Sequence, residues 1–449
     1  MKQNLVSRRN INFVLDGFQK FFQRCLSTGG LNSLEMKNFM EPIFARVGYR
    51  DPLHGGGPSC NILLIHDVGI GDFIVMSAAV REIRRIWSTA NITLIINPRA
   101  REIAECCPYV DEVIVNAAAF DGNNFEQLYI WNADIAKILL DRQLDICFSF
   151  NYTPTTILLA YMSGARERLG FRLSLDMNTE IFVPPDFLHC YHLAPLLTVE
   201  VPHLLCGTHQ ADSCLAPLDY MLRTPIANRE LEVWFTPSDR ALAKKFIAPL
   251  IDDNRKIFAL GIGGSAPIKR WPPKKYAALV RRLVAYEPDI KFVIIGGEAD
   301  IQSAETFKSA LDEKFIANHL LDLTGKLNCR QSAAAIGLCD LYIGNDTGAL
   351  HMASANKVPI LNPNCFPMDI PMTQYAFPII YAPYHVPSVV VRPAHALPEC
   401  RHSRGLGGCC VPTTHCIAQI EADTVFDGYL ELKKRIAEKN IEPLFISNA

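Results

Sequence analysis

Three kinds of residue in this chain could move a proton and hold a phosphate. Asp72 closes the stretch VGIGD, just after an apolar run at 61–66 and just before an amphipathic run. A carboxylate at such a strand–glycine turn–helix junction can act as a general base, taking a proton from an attacking hydroxyl. Helix N–H groups and the macrodipole also favour a carboxylate there, so the plainer alternative is a helix cap. The spacing G-x-G-D is not G-x-G-x-x-G, so it carries no dinucleotide fingerprint. The stretch GSAPIKRWPPKKY supplies Ser265 and Lys269 after Gly264. A glycine and a hydroxyl at a strand end suit phosphate oxygens, and an ammonium can neutralise a pyrophosphate; a solvated basic loop is the alternative. Glu298 follows KFVIIGG and is placed for a ribose diol or for a helix start. The strongest stretch is GNDTGALHMASA, residues 344–355. Asp346 ends a strand there, Thr347 and Gly348 turn the chain, and a helix carrying His351 begins. Its free N–H groups at Thr347, Gly348 and Ala349 would bind an anion.

These residues need elements to hold them. Strands read at 61–66, 91–96, 112–115 and 144–150, separated by helical stretches at 72–87, 98–107, 123–140 and 154–163. Alternating β and α elements with short connections argue a parallel, doubly wound sheet. Residues 184–217, rich in Pro, His and Leu, read as an irregular segment. A second β/α unit starts at Thr236-Pro237-Ser238-Asp239, a good helix start, with strands at 257–264, 291–297, 340–345 and 358–361. The fold class is therefore α/β, with two Rossmann-like domains in tandem: 60–235 and 236–449. In such sheets ligands bind beyond the strand C-termini, where Asp72 and the second domain's loops all fall.

Residues 1–59 stand apart as a helical extension ending in the linker Gly55-Gly56-Gly57-Pro58. Ile11, Val14, Leu15, Phe18, Phe21, Phe22 and Cys25 mark one apolar helical face with basic residues nearby. The face either packs on the body or makes a peripheral membrane contact through residues 10–26. The 449 residues carry a formal net charge of −2, which gives no reason to expect a nucleic-acid partner. Met1 to Gly30 lacks the apolar core of a signal peptide, and no uncharged run reaches a membrane span. Fifteen cysteines, mostly single and in apolar contexts, suit reduced thiols in the cytoplasm.

DVGIGDFIVMSAAVREIRR, the KRWP loop (Lys269–Pro272) and NDTGALHMA (Asn345–Ala353) together resemble glycosyltransferase family 9, the heptosyltransferase family. LEVWFTPSDRALAKKF is similar to that family's entry into its second domain, and the resemblance spans about Asn61 to Val425. It implies a GT-B fold and a metal-independent, inverting transfer without a cofactor. The implied donor is a nucleotide sugar, usually ADP-heptose; the implied acceptor is a glycan or glycolipid such as the lipopolysaccharide inner core. By position Asp72 resembles the family's catalytic base. Ser265, Lys269, Glu298, Asp346, Thr347, Gly348 and His351 match its donor-binding positions, with Lys269 also countering the leaving group's charge. NPNCFPMD (362–369) replaces the usual F-G-x-T-x-P, and Ser77-Ala78 replaces a small-Pro pair. Other readings are a different nucleotide sugar, a protein acceptor, a nucleotide-sugar epimerase, or a non-catalytic sugar-binding module.

Cys400, Cys409, Cys410 and Cys416 lie near His402 and His415. Thiolates and imidazoles suit zinc or iron. The spacing C-x8-C-C-x5-C lacks a C-x2-C pair, so the expectation is reduced thiols and no metal site.

Overall fold

A computed structural model describes residues 8–28, 33–46, 60–116, 125–150, 154–173, 193–203, 208–250, 255–369, 377–398, 400 and 413–447. Two units pack separately. The first comprises Met1–Gly69, Ala78–Leu205 and Asp212–Arg229; the second comprises Ile70–Ser77, Cys206–Ala211 and Glu230–Ala449. Ile70–Ser77, the segment carrying Asp72, groups with the second unit.

In the first unit, β1 (Asn61–His66), β2 (Asn91–Ile96), β3 (Glu112–Val115), β4 (Ile146–Ser149), β5 (Glu167–Leu173) and β6 (Val199–His203) form one parallel sheet in the order β3-β2-β1-β4-β5-β6. Ile62, Leu63, Leu64 and Ile65 are all buried, as a strand covered on both faces requires. Register follows: Leu64 pairs with Leu94 on one side and with Phe148 on the other. Carboxylates fix the strand starts, Asp145 accepting from the Asn61 N–H at 2.9 Å and Asp111 from the Ile92 N–H at 2.7 Å.

The N-terminal extension forms α1 (Arg8–Thr28) and α2 (Ser33–Arg46). Ile11, Val14, Phe18 and Phe21 are buried, and the Phe18 ring meets Phe44 and Tyr161 edge-on at 5.7 and 6.0 Å. This apolar face is thus occupied in packing within its own unit, which removes it as a membrane-facing surface. The side chains of Phe22 and Cys25 lie outside the described residues.

In the second unit, β7 (Lys256–Gly261), β8 (Ile290–Ile294), β9 (Leu320–Asp322), β10 (Leu341–Gly344), β11 (Ile360–Pro363), β12 (Ser388–Arg392) and β13 (Pro443–Ser447) form a parallel sheet in the order β13-β12-β11-β10-β7-β8-β9. Phe258, Leu260, Phe292, Leu341, Ile343 and Tyr429 belong to its buried core. The helix Pro237–Ile247 opens on a capping box: the Thr236 hydroxyl accepts from the Asp239 N–H, and the Asp239 carboxylate accepts from the Thr236 N–H. Each sheet reverses its winding beside its first strand, between β1 and β4 and between β7 and β10. Doubly wound sheets bind ligands at that switch.

Several elements differ from the sequence expectation. The segment 184–217 is not irregular throughout, since β6 and the start of the helix Gln210–Leu222 fall inside it. The stretch 98–107 gives a 3-10 turn at Pro98–Ala100 and a one-turn helix at Arg101–Ala104. β5, β9, β12 and β13 are additional strands. Among the described residues no helix is long and apolar enough to cross a membrane.

Candidate active site

The helix α3 (Ile70–Ile86) starts after Gly69, an extended N-cap with no side-chain cap bond. Asp72 sits in its first turn, yet its carboxylate is engaged elsewhere: it accepts from the Tyr381 hydroxyl and from its own backbone N–H. Burial raises the Asp72 carboxyl above the ordinary range, and Tyr381, its own N–H and the nearby Lys269 charge only partly offset this. A general base benefits from such a shift, because a more basic carboxylate takes a proton more readily.

Lys269 and Asp346 form the polar centre of the site. The ammonium lies 2.7 Å from the Asp346 carboxylate, whose side chain is only 6% exposed. Burial would lower the Lys269 pKa, but Asp346, Cys365 and Asp72 together outweigh it and hold the ammonium charged. Lys269 ends the 3-10 turn Pro267–Lys269, which the sequence delivers through Pro267 in that turn's first position. One Lys N–H goes to Asp346, which leaves two donors for a ligand's oxygens.

His351 belongs to the helix Gly348–Ala355, which follows Asp346 and the extended N-cap Thr347. The ring is buried and its Nδ1 has no partner among the described residues. Burial, with Lys269 assisting and Asp346 opposing, brings its pKa down to about 4, so the imidazole is neutral near pH 7. A side chain at position 71 could not coexist with this ring: a Cβ on Gly71 would come 2.7 Å from His351 Cδ2. The first turns of α3 and of the helix Gly348–Ala355 are thereby packed directly together, with Ile70 against Gly348.

The loop after β7 is fixed by residues that sequence reasoning passed over. The Asp300 carboxylate accepts from the Gly264 N–H at 3.1 Å and the Gly297 N–H at 3.0 Å. It lies where a Cβ on Gly263 would be, 2.0 Å away, so only glycine fits there. Asn345 accepts from the Trp271 N–H and the Tyr276 hydroxyl and donates to the carbonyls of Ile262 and Gly263. It is a clamp joining the ends of β7 and β10. Ser265 and Glu298 are exposed on the same two loops, and Asp300, not Glu298, makes the bonds between them. Asp300 was legible as the third residue after a glycine strand end, the capping-box offset.

The divergent stretch 362–369 is also held in place. Buried Arg392 donates to the carbonyls of Phe366 and Pro367 at 2.7 and 2.6 Å. This sets Cys365, buried and pushed up to about 12, beside Lys269. Tyr381 likewise comes from a stretch without periodicity, and no sequence signal marked it. Cys400 and Cys416 are buried and close to His415, whereas His402, Cys409 and Cys410 lie outside the described residues.

Residues 223–362 match the sequence model of glycosyltransferase family 9 (heptosyltransferase), a segment that holds every candidate residue named above from Ser265 to His351. Lipooligosaccharide heptosyltransferase 2 of Haemophilus ducreyi is 21% identical over 305 residues, covering 66% of this chain and 80% of that protein. The glycosyl transferase family 9 structure from Veillonella parvula aligns with a TM-score of 0.64 at 21% identity, over 83% of this chain and 97% of that one. The E. coli ADP-heptose lps heptosyltransferase II aligns with a TM-score of 0.56 at 16% identity, over 84% and 99%. These structures share the GT-B arrangement of two parallel-sheet, Rossmann-like domains. With Ser265 to His351 inside the matched segment and its fold shared along most of its length, the chain is similar to glycosyltransferase family 9 (heptosyltransferase) proteins and is a glycosyl-transferring enzyme.

Proposed function

We propose that this enzyme transfers a heptose from ADP-heptose to a glycan or glycolipid acceptor of the lipopolysaccharide inner-core type, inverting the anomeric centre without a metal ion. The observation that carries the reading is the Lys269–Asp346 pair at 2.7 Å beside the raised carboxyl of Asp72. Asp72 takes the acceptor hydroxyl's proton as that oxygen attacks the anomeric carbon. The nucleotide leaves from the opposite face, and Lys269 with the amides at 347–349 stabilises the charge growing on its pyrophosphate. Asp346 holds Lys269 in place for this. The unpartnered His351 Nδ1 is satisfied by a polar group of the donor, since a buried polar atom left unpaired costs about 1–3 kcal/mol. Ser265, Thr347, Gly348 and Glu298 complete the donor contacts. The name of the E. coli neighbour, an ADP-heptose lps heptosyltransferase, supports this choice of donor and acceptor.

Such an enzyme works in the cytoplasm, where nucleotide sugars are made, and meets its glycolipid acceptor at the membrane's inner face. A peripheral contact through residues 10–26 would use the exposed side of α1, with Asn12, Phe13, Lys20 and Arg24, because the Phe18 side is packed inward. The test is a thermal-shift comparison of nucleotide sugars followed by NMR of the product. ADP-heptose at 100 times its dissociation constant should add about 2.7 kcal/mol, and the new glycosidic bond should have the inverted configuration. Preference for a uridine donor, or retention of configuration, would refute the proposal. Turnover should also survive chelation of free divalent ions; turnover lost with the fold intact, then restored by magnesium, would refute the metal-free step.

A further inference from the structure

We infer that Cys400, His415 and Cys416 form a binding site for a thiophilic divalent transition metal, zinc or iron(II). The inference is independent of the donor and acceptor assigned above. The ligand atoms of these three residues lie within 4.8 Å of one another, and both cysteines are buried. The Cys416 Sγ is 3.2 Å from His415 Nδ1. Four-coordinate zinc at bond lengths of about 2.0–2.3 Å separates its donor atoms by roughly 3.3–3.8 Å, so the widest pair needs to close by about 1–1.5 Å, within reach of side-chain rotation. Two thiolates and an imidazole exclude hard, oxygen-seeking ions such as magnesium and calcium and suit zinc or iron.

The surroundings are those of a built site. The Leu397 N–H donates to the Cys416 Sγ at 3.4 Å, the kind of outer bond that orients a metal thiolate. Cys400 is itself placed by its N–H to the Leu397 carbonyl at 2.8 Å. On the other arm, Cys416 opens the 3-10 turn Cys416–Gln419, and the Ala418 N–H bonds the His415 carbonyl at 2.9 Å. Lys275 holds that turn through the Ala418 carbonyl at 2.6 Å. The ligands thus come from two segments that are anchored separately. Sequence spacing argued against a metal because it lacks a C-x2-C pair; folding supplies the juxtaposition that spacing does not.

The site also borders the active centre. Thr414 donates to the carbonyl of Pro267, in the turn that carries Lys269, and Cys365 lies near both Lys269 and Cys416. The metal's role is to pin the tail against the Lys269 turn.

Elemental mass spectrometry of the full chain, purified under reducing conditions, tests this. About one zinc or iron per chain is expected, and the element found distinguishes the two. Cys400→Ser and Cys416→Ser should each lower that content about tenfold or more, while Cys339→Ser, a buried thiol elsewhere, should keep it. Should the serine variants fail to fold, cobalt substitution of the wild type should give intense four-coordinate ligand-field bands and thiolate charge-transfer absorption. A metal-free protein whose Cys400 and Cys416 react with a thiol reagent would overturn the inference. So would a Cys400–Cys416 disulfide, unchanged metal content in the serine variants, or a cobalt spectrum without sulfur ligation.

Discussion

The Tyr381 hydroxyl donates a hydrogen bond to the carboxylate of Asp72, from a stretch far along the chain. The same tyrosine presents its ring edge-on to His351, with centroids 6.2 Å apart. One side chain therefore orients the Asp72 carboxylate and flanks the His351 ring.

Removing that hydroxyl should shift the base. The bond favours ionised Asp72, so Tyr381→Phe leaves burial less opposed and the carboxyl pKa rises further. The acid limb of the pH–kcat profile should move to higher pH, with the plateau rate largely kept. An unmoved limb would separate Tyr381 from the titrating group.

Asp72→Asn should lower kcat by about 10²–10⁴-fold, the usual contribution of a general base, with donor affinity changed less than about threefold. The same variant should be more heat-stable at pH 7. A carboxyl whose folded pKa is raised favours folding only while protonated, and that contribution is lost as pH rises through the raised value. Asn removes the buried charge, so the gain should shrink on acidification. Wild-type turnover in Asp72→Asn across pH would move the base elsewhere.

Lys269→Ala should raise the donor dissociation constant and lower kcat as well, each by about tenfold or more, because its charge meets pyrophosphate before and during departure. It also strands the buried Asp346 carboxylate, so Lys269→Ala with Asp346→Asn should recover stability without recovering turnover. Isothermal titration with ADP and differential scanning calorimetry read the two effects apart. A single variant that binds ADP as the wild type does would take Lys269 out of the donor site.

His351 should make stability fall on acidification. Its folded pKa of about 4 lies below the ordinary 6.5, so the unfolded chain binds its proton first. Stability present above pH 6.5 is lost between 6.5 and about 4, by roughly 3 kcal/mol at most. Denaturant unfolding of His351→Leu should lose that part of the pH dependence. A slope unchanged in the variant would mean that another group carries it.

The sequence made legible the elements whose signals are local. The apolar runs at 61–66 and 91–96 need only neighbouring residues to declare a buried strand, and Thr236 with Asp239 declares a helix start. The group Asp346, Thr347, Gly348 and His351 was legible because a helix N-terminus gathers it within a few residues. What escaped were meetings made by topology. Tyr381 reaches Asp72, Asp300 reaches Gly264, and Cys400 reaches Cys416 only after β-strands are ordered side by side. β5 and β6 escaped for a related reason: ERLGFRL and VEVPH put charged or proline residues in strands toward the sheet's edge, where both-face burial no longer imposes a pattern.

Gly71 gives the motif G-x-G-D a meaning apart from phosphate binding. Since the space its side chain would fill is taken by the His351 ring, the glycine works as a spacer of zero thickness between two helix ends. Even a methyl group there would act as a shim, forcing the ring aside or parting the helices. The separation of Asp72 from His351 is therefore written into the chain as a missing atom. Exchange of Gly71 alone would misalign a site whose polar residues were all intact.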